Sequence, residues 1–311
     1  MTKKAPAIVQ GDAVAIVAPS GAVHKEALDR GIAIIEELGY EVKLGKSVLN
    51  RFGYLAGEDV DRAADFTWAW TDPEIKAVIA ARGGYGATRM LPYLDFSVLK
   101  EHKKIFVGYS DITALHLAFW KEMRLVTFHG PMVESGEESG LSEPYNLEGL
   151  RRALDGTSVV GEMPLPPGTE LFALGAGTAE GQLVGGNLSL VAATVGTRWE
   201  LDTRGKILFL EEVGERPYRV DRMLCQLEST GKLADAAGIL LGDFTDCDAA
   251  GSSPSFTTCE ILRQYFGRTG KPCLMRFPAG HGTYKATLPL GAKVLLDADR
   301  GVVRLLERPT A

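Results

Sequence analysis

IKAVIAARGGYGATRMLPYLDFSVLKEHKKIFVGYSDITALHLAFW, residues 75–120, sets the fold class. Two short apolar runs alternate with segments of helical spacing, and each run stops at glycine. The run from Ile75 ends at Gly83, Gly84 and Gly86. The run from Ile105 ends at Gly108, after which Ile112, Leu115, Phe119 and Met123 fall near one helical face. Outward from this stretch the same alternation continues. AVAIVAPSG (13–21) predicts a strand and turn, HKEALDRGIAIIEELGY (24–40) a helix stopped by Gly39, EVKLG a strand, EDVDRAADFTWAWTD a helix, and RLVTFHGP a strand. Strands alternating with helices predict an α/β fold with a mostly parallel sheet covered on both faces. Ligands of such sheets collect at the carboxyl ends of the strands.

The composition changes near SVVGEMPLPPGTELFALGAGTAEGQLVGG (158–186), rich in Gly and Pro. We expect residues 1–160 to form an amino-terminal domain, 161–180 a linker, and 181–311 a second α/β domain. In the latter, NLSLVAATVG, YRVDRMLCQLESTG and FTTCEILRQYFG read as helices. KILFLEEVG and AAGILLGDF read as strands, and AKVLLDADRGVVRLLE reads as a closing hairpin.

Of the 311 residues, 45% are hydrophobic and 24% charged, and the formal net charge is −6. No block of Lys or Arg stands out, which argues against nucleic acid or an anionic membrane as the main partner. The cysteines, Cys225, Cys247, Cys259 and Cys273, form no CxxC pair and read as thiols of a reducing compartment. Gln10, Gly11 and Asp12 interrupt the first apolar run before it could serve as a signal segment, and no apolar stretch is long enough to span a bilayer. The expectation is a soluble cytoplasmic protein.

Ser110 follows a strand and precedes a helix. That junction suits either a nucleophile on a sharp turn, with following N–H groups for an oxyanion, or a plain helix cap. Gly108 fits the G-x-S-x-G pattern, but Ile112 stands at the second glycine. A serine nucleophile needs a base and an orienting acid. Among five histidines, His24 and His102 lie in polar surroundings, His116 within the following helix, and His129 at a strand end. His281 stands on a loop between Gly280 and Gly282, where small neighbours allow close approach. Glu211 and Glu212 end a strand, and alternation turns only one of them toward a site. The glycines after Arg82 fail as a dinucleotide fingerprint because Arg89 replaces the last glycine, and an oxyanion loop fits them better. Arg82 is a candidate cation for a substrate carboxylate or a partner in a salt bridge. Asn187 is a candidate substrate contact or a helix cap. No metal motif is present and no cofactor is expected.

The motifs VAIVAPSG, ARGGYGATRMLPYLD, FVGYSDITALHLAF, TFHGPM, EGQLVGGNLSLVAATVGT, FLEEVGERPYRVDRML and FPAGHG occur in this order. As a set they resemble the LD-carboxypeptidases, the murein tetrapeptide carboxypeptidase family of serine peptidases, over about Val14 to Leu290. The resemblance implies a triad of Ser110, Glu211 and His281, with Glu212 standing where the family has an aspartate. It further implies a flavodoxin-like first domain, a smaller α/β second domain and a cytoplasmic homodimer. The implied reaction removes the terminal D-alanine from the tetrapeptide of recycled cell-wall fragments. Acyl-transfer chemistry then places the backbone N–H groups of Asp111 and of Gly84, or its neighbour Gly83, at the oxyanion. The related microcin-immunity peptidases share the triad, cleave aminoacyl-nucleotide amides and usually carry longer insertions between domains. The compact linker here favours the carboxypeptidase. The remaining rivals are a non-catalytic two-lobed ligand-binding protein and a dinucleotide enzyme.

Overall fold

The computed structural model describes residues 2–134, 140–158, 160–249 and 254–311. The chain divides into two compact units. The first comprises residues 1–158, 285–291 and 309–311, and the second 159–284 and 292–308.

The first unit is built on a six-stranded sheet. Its order is Leu288–Leu290, Thr127–His129, Ile105–Gly108, Ile75–Ala80, Ala13–Val17, Glu41–Leu44. The five amino-terminal strands are parallel, and Leu288–Leu290 pairs antiparallel with Thr127–His129 at the edge. Ala13–Val17 and Ile105–Gly108 are buried along their whole length, which is why they read as unbroken apolar runs. The parallel strands follow the flavodoxin-like order, with the direction of winding reversing between Ala13–Val17 and Ile75–Ala80. Helices Lys25–Glu37, Asp59–Thr71, Thr113–Met123 and Pro144–Asp155 belong to this unit. Phe66, Trp70, Phe106 and Phe119 form an aromatic cluster, and the Trp70 indole donates to Leu99 O at 3.0 Å.

The second unit carries an eight-stranded mixed sheet. Its order is Gly161–Glu162, Val302–Leu305, Lys293–Asp297, Thr178–Asn187, Ile207–Val213, Gly238–Thr245, Cys273–Met275, Phe172–Gly175. The four strands from Thr178–Asn187 to Cys273–Met275 are mutually parallel, and the strands outside them are antiparallel. The closing hairpin is present as Lys293–Asp297 against Val302–Leu305. Helices Leu188–Ala193, Pro217–Ser229 and Thr258–Phe266 follow strands of this sheet, the last started by a Thr257–Glu260 capping box.

Two expectations about boundaries change. Residues 161–180 supply two edge strands and the start of Thr178–Asn187, so the Gly/Pro-rich segment lies within the second unit. Residues 285–291, expected within the second domain, return to complete the first sheet.

Candidate active site

Three loops leave the carboxyl ends of adjacent strands in the first unit: Pro19–Gly21, Arg82–Gly86 and Tyr109–Asp111. Ser110 begins a short 3-10 turn with φ 64, a left-handed conformation that costs a non-glycine residue about 1–2 kcal/mol. Strain of this kind concentrates at functional positions. The position that precedes the helix Thr113–Met123 is Ile112, two residues after Ser110. Gly108 permits the tight reversal, since a Cβ there would lie 2.8 Å from Ile112 Cγ2. His116 braces it from below. Its Nε2 lies 2.8 Å from Gly108 O, and its Nδ1 lies 2.9 Å from Thr127 Oγ1. A carbonyl only accepts, so Nε2 carries the proton and Nδ1 accepts from the Thr127 hydroxyl. Burial pushes this imidazole down to about 4.

Gly83 lies against Ser110: a Cβ on it would be 2.9 Å from Ser110 Cβ and 3.1 Å from Oγ. Gly84 follows at φ 102, and Gly83 O accepts from the Gly21 N–H at 2.9 Å. The side chain of Asp111 is 1% exposed. Its Oδ2 accepts from Ser20 Oγ at 2.6 Å and from the Ala87 N–H at 2.7 Å. Burial raises this carboxyl above the usual aspartate range. Arg82 donates to Ala22 O at 2.9 Å and lies 3.5 Å from Glu134 Oε1. Glu134 in turn accepts from the His24 main chain at 2.8 Å, and its other oxygen lies 2.7 Å from the ring Nδ1. His129 is buried with its ring 5.9 Å from that of Tyr109.

In the second unit the Ile207–Val213 strand delivers both glutamates, one to each face. Glu211 is fully buried, and its Oε2 lies 2.7 Å from His281 Nδ1. Burial raises the Glu211 carboxyl, opposed by the imidazole beside it. Glycines flank His281 for a steric reason. A Cβ on Gly280, itself at φ 127, would lie 2.7 Å from Glu211 Oε2, and one on Gly282 would lie 2.5 Å from Asp243 Oδ2. Glu212 serves the start of helix Leu188–Ala193. It accepts from Asn187 Nδ2 at 2.9 Å, Ser189 N at 2.8 Å and Ser189 Oγ at 2.6 Å. Asn187 is the N-cap of that helix, accepting from Leu190 N at 3.3 Å. Both ends of its amide are thus engaged within the protein.

The structure pairs Glu211 with His281 in the second unit and sets Gly83 against Ser110 in the first, with Gly84 against Gly21. The sequence reading missed Ser20, Glu134 and the side-chain role of Asp111. Glu134 lies 52 positions from Arg82 in the chain, and Ser20 lies 91 from Asp111, so no local pattern links them. Among the described residues, no three His, Cys, Asp or Glu side chains converge to hold a metal ion.

Family models describe the LD-carboxypeptidase N-terminal domain at residues 14–130 and the LD-carboxypeptidase C-terminal domain at residues 180–296. The probable murein peptide carboxypeptidase of Bacillus subtilis is 44% identical over 94% of this chain and 91% of its own length. The crystal structure of muramoyltetrapeptide carboxypeptidase from Oxalobacter formigenes matches with a TM-score of 0.82 at 33% identity, covering 94% of this chain and 97% of that one. The microcin C7 self-immunity protein MccF of Escherichia coli is 26% identical over 94% of this chain and 91% of its own. A structure of MccF without ligand matches with a TM-score of 0.91 at 25% identity, covering 99% and 100% of the two chains. The chain belongs to the LD-carboxypeptidase family and is a serine carboxypeptidase.

Proposed function

We propose that this enzyme removes the terminal D-alanine from murein tetrapeptides, with Ser110 as nucleophile and Glu211–His281 as the acid–base pair. The observation that supports the proposal is the left-handed backbone at Ser110, at the end of a buried parallel strand and with its Oγ against the Gly83 backbone. His281, whose Nδ1 is fixed by Glu211, takes the Ser110 proton on Nε2. Ser110 Oγ attacks the carbonyl that precedes D-alanine. The N–H groups of Asp111 and Gly84 receive the oxyanion. Glu211 holds the imidazole tautomer and stabilises the imidazolium. His281 then protonates the leaving amine, the C–N bond breaks, and water hydrolyses the acyl-enzyme by the reverse proton path. Arg82, with a side chain 37% exposed and steadied by Glu134, is assigned to the substrate carboxylate. Asn187 is assigned to positioning the strand end that carries both glutamates. The family resemblance supports a place in recycling cell-wall fragments in the cytoplasm, with the chain acting as a homodimer.

The match to MccF supports a second reading, cleavage of aminoacyl-nucleotide amides by the same residues. D-alanine release from free murein tetrapeptide separates the two. Release by the native chain that survives EDTA, and that falls by at least about 10⁴-fold in Ser110→Ala, is the expected result. Turnover of an aminoacyl sulfamoyl adenosine with no D-alanine release would favour the second reading. Release that persists in Ser110→Ala would overturn the assignment of the nucleophile.

A further inference from the structure

The three loops around Ser110 come from separate strands. Gly21 N–H to Gly83 O joins two of them through the main chain. Side chains make further ties. Arg62, 1% exposed and paired with Asp59, donates to Pro19 O and, at 3.0 Å, to Gly86 O. Asp111 joins the same two segments one residue further along each, through Ser20 Oγ at 2.6 Å and the Ala87 N–H at 2.7 Å.

We propose that the Asp111 carboxylate is a positioning residue for the reaction, tying the Pro19–Gly21 and Gly83–Gly86 loops to the Ser110 turn so that the N–H groups of Asp111 and Gly84 converge on one oxyanion. The proposal rests on Ser110 as the nucleophile. A carboxylate is a poor choice for stability at a site 1% exposed, because burial opposes its charge. It is a good choice for geometry. One oxygen accepts from two donors on two different loops, and the carboxylate belongs to the residue directly after the nucleophile. Arg62 is the cation that faces it. Preorganised donors act only where they are held in place before charge develops, and a displacement near 1 Å is costly.

The test compares Asp111→Ala, Ser20→Ala and Asp111→Asn. Asparagine retains both ties when its amide oxygen takes the place of Oδ2 and accepts from Ser20 Oγ and the Ala87 N–H. The readouts are kcat and KM for D-alanine release, and kinact and KI for labelling of Ser110 by a fluorophosphonate. In Asp111→Ala, kcat and kinact fall about 100-fold while KM and KI hold. Ser20→Ala, which cuts one tie, falls less, and Asp111→Asn recovers most of the rate that Asp111→Ala loses. If Asp111→Ala does not fold, Ser20→Ala and Asp111→Asn decide between them. Native kcat and kinact in a folded Asp111→Ala or in Ser20→Ala overturn the proposal, as does an Asp111→Asn chain as slow as Asp111→Ala. Native fluorophosphonate labelling that persists in Ser110→Ala overturns the nucleophile assignment and this proposal with it. Labelling lost in Ser110→Ala but native in Ser20→Ala and a folded Asp111→Ala overturns this proposal alone.

Discussion

His116 makes the stability of the first unit depend on pH in a calculable way. Its ring is 1% exposed, spans Gly108 O and Thr127 Oγ1, and titrates at about 4 instead of 6.5. Between those values the unfolded chain holds a proton that the folded chain refuses, so stability rises with pH across the window. The contribution is fully present above 6.5 and is lost as pH falls toward 4. One pKa unit is about 1.4 kcal/mol, so the loss is about 2 kcal/mol by about pH 5 and about 3 kcal/mol by about pH 4. Other carboxylates and histidines titrate in or below this range, so the measurement must isolate one residue. His116→Gln keeps an amide that can donate to Gly108 O and accept from Thr127, but it does not titrate. Urea midpoints for both chains, followed from about pH 7 to about pH 4.5, give the difference directly. The native chain should lose stability more steeply, by about 2 kcal/mol over that range. Parallel curves for the two chains would refute the reasoning, since burial would then have left the imidazole at its ordinary value.

Two further substitutions separate neighbouring roles. Glu212→Gln turns an amide toward donors at Asn187, Val213 and Ser189, so urea unfolding should show a loss of about 1–3 kcal/mol while the pH profile of kcat holds its shape. Glu211→Gln should leave stability nearer the native value and lower kcat, because the imidazole loses its charged partner. Gly280→Ala places a Cβ 2.7 Å from Glu211 Oε2 at φ 127. Strain there costs about 1–3 kcal/mol in thermal or urea unfolding, and kcat falls as His281 is displaced.

What local pattern records, the sequence made legible. Buried parallel strands are apolar throughout, so Ala13–Val17, Ile75–Ala80 and Ile105–Gly108 stood out as runs, and the helix Asp59–Thr71 stood out by its spacing. Ser110 was placed at a strand–helix junction, but its left-handed backbone was not visible there, because φ is set by Gly108, Ile112 and Gly83 around it. The two adjacent glutamates show the same limit. Alternation said that they face opposite ways, and only His281, 70 positions on, and Ser189, 23 positions back, say which way each faces. Residues 161–180 misled by composition: glycine and proline usually mark loops, yet here they begin and flank strands whose partners lie as far away as Val302–Leu305.

The return of Leu288–Leu290 to the first sheet has a consequence for the order of events during synthesis. The Thr127–His129 strand emerges from the ribosome about 160 residues before its antiparallel neighbour, a delay of roughly 10–30 s at ordinary elongation rates. Throughout that interval its outer edge lacks its eventual partner, the kind of surface that recruits strands from other chains. The first unit therefore begins folding first and closes its sheet last, after the second unit's sequence up to residue 284 has been made. A nascent chain halted before residue 288 would carry the whole Ser110 loop system on a sheet with an open border.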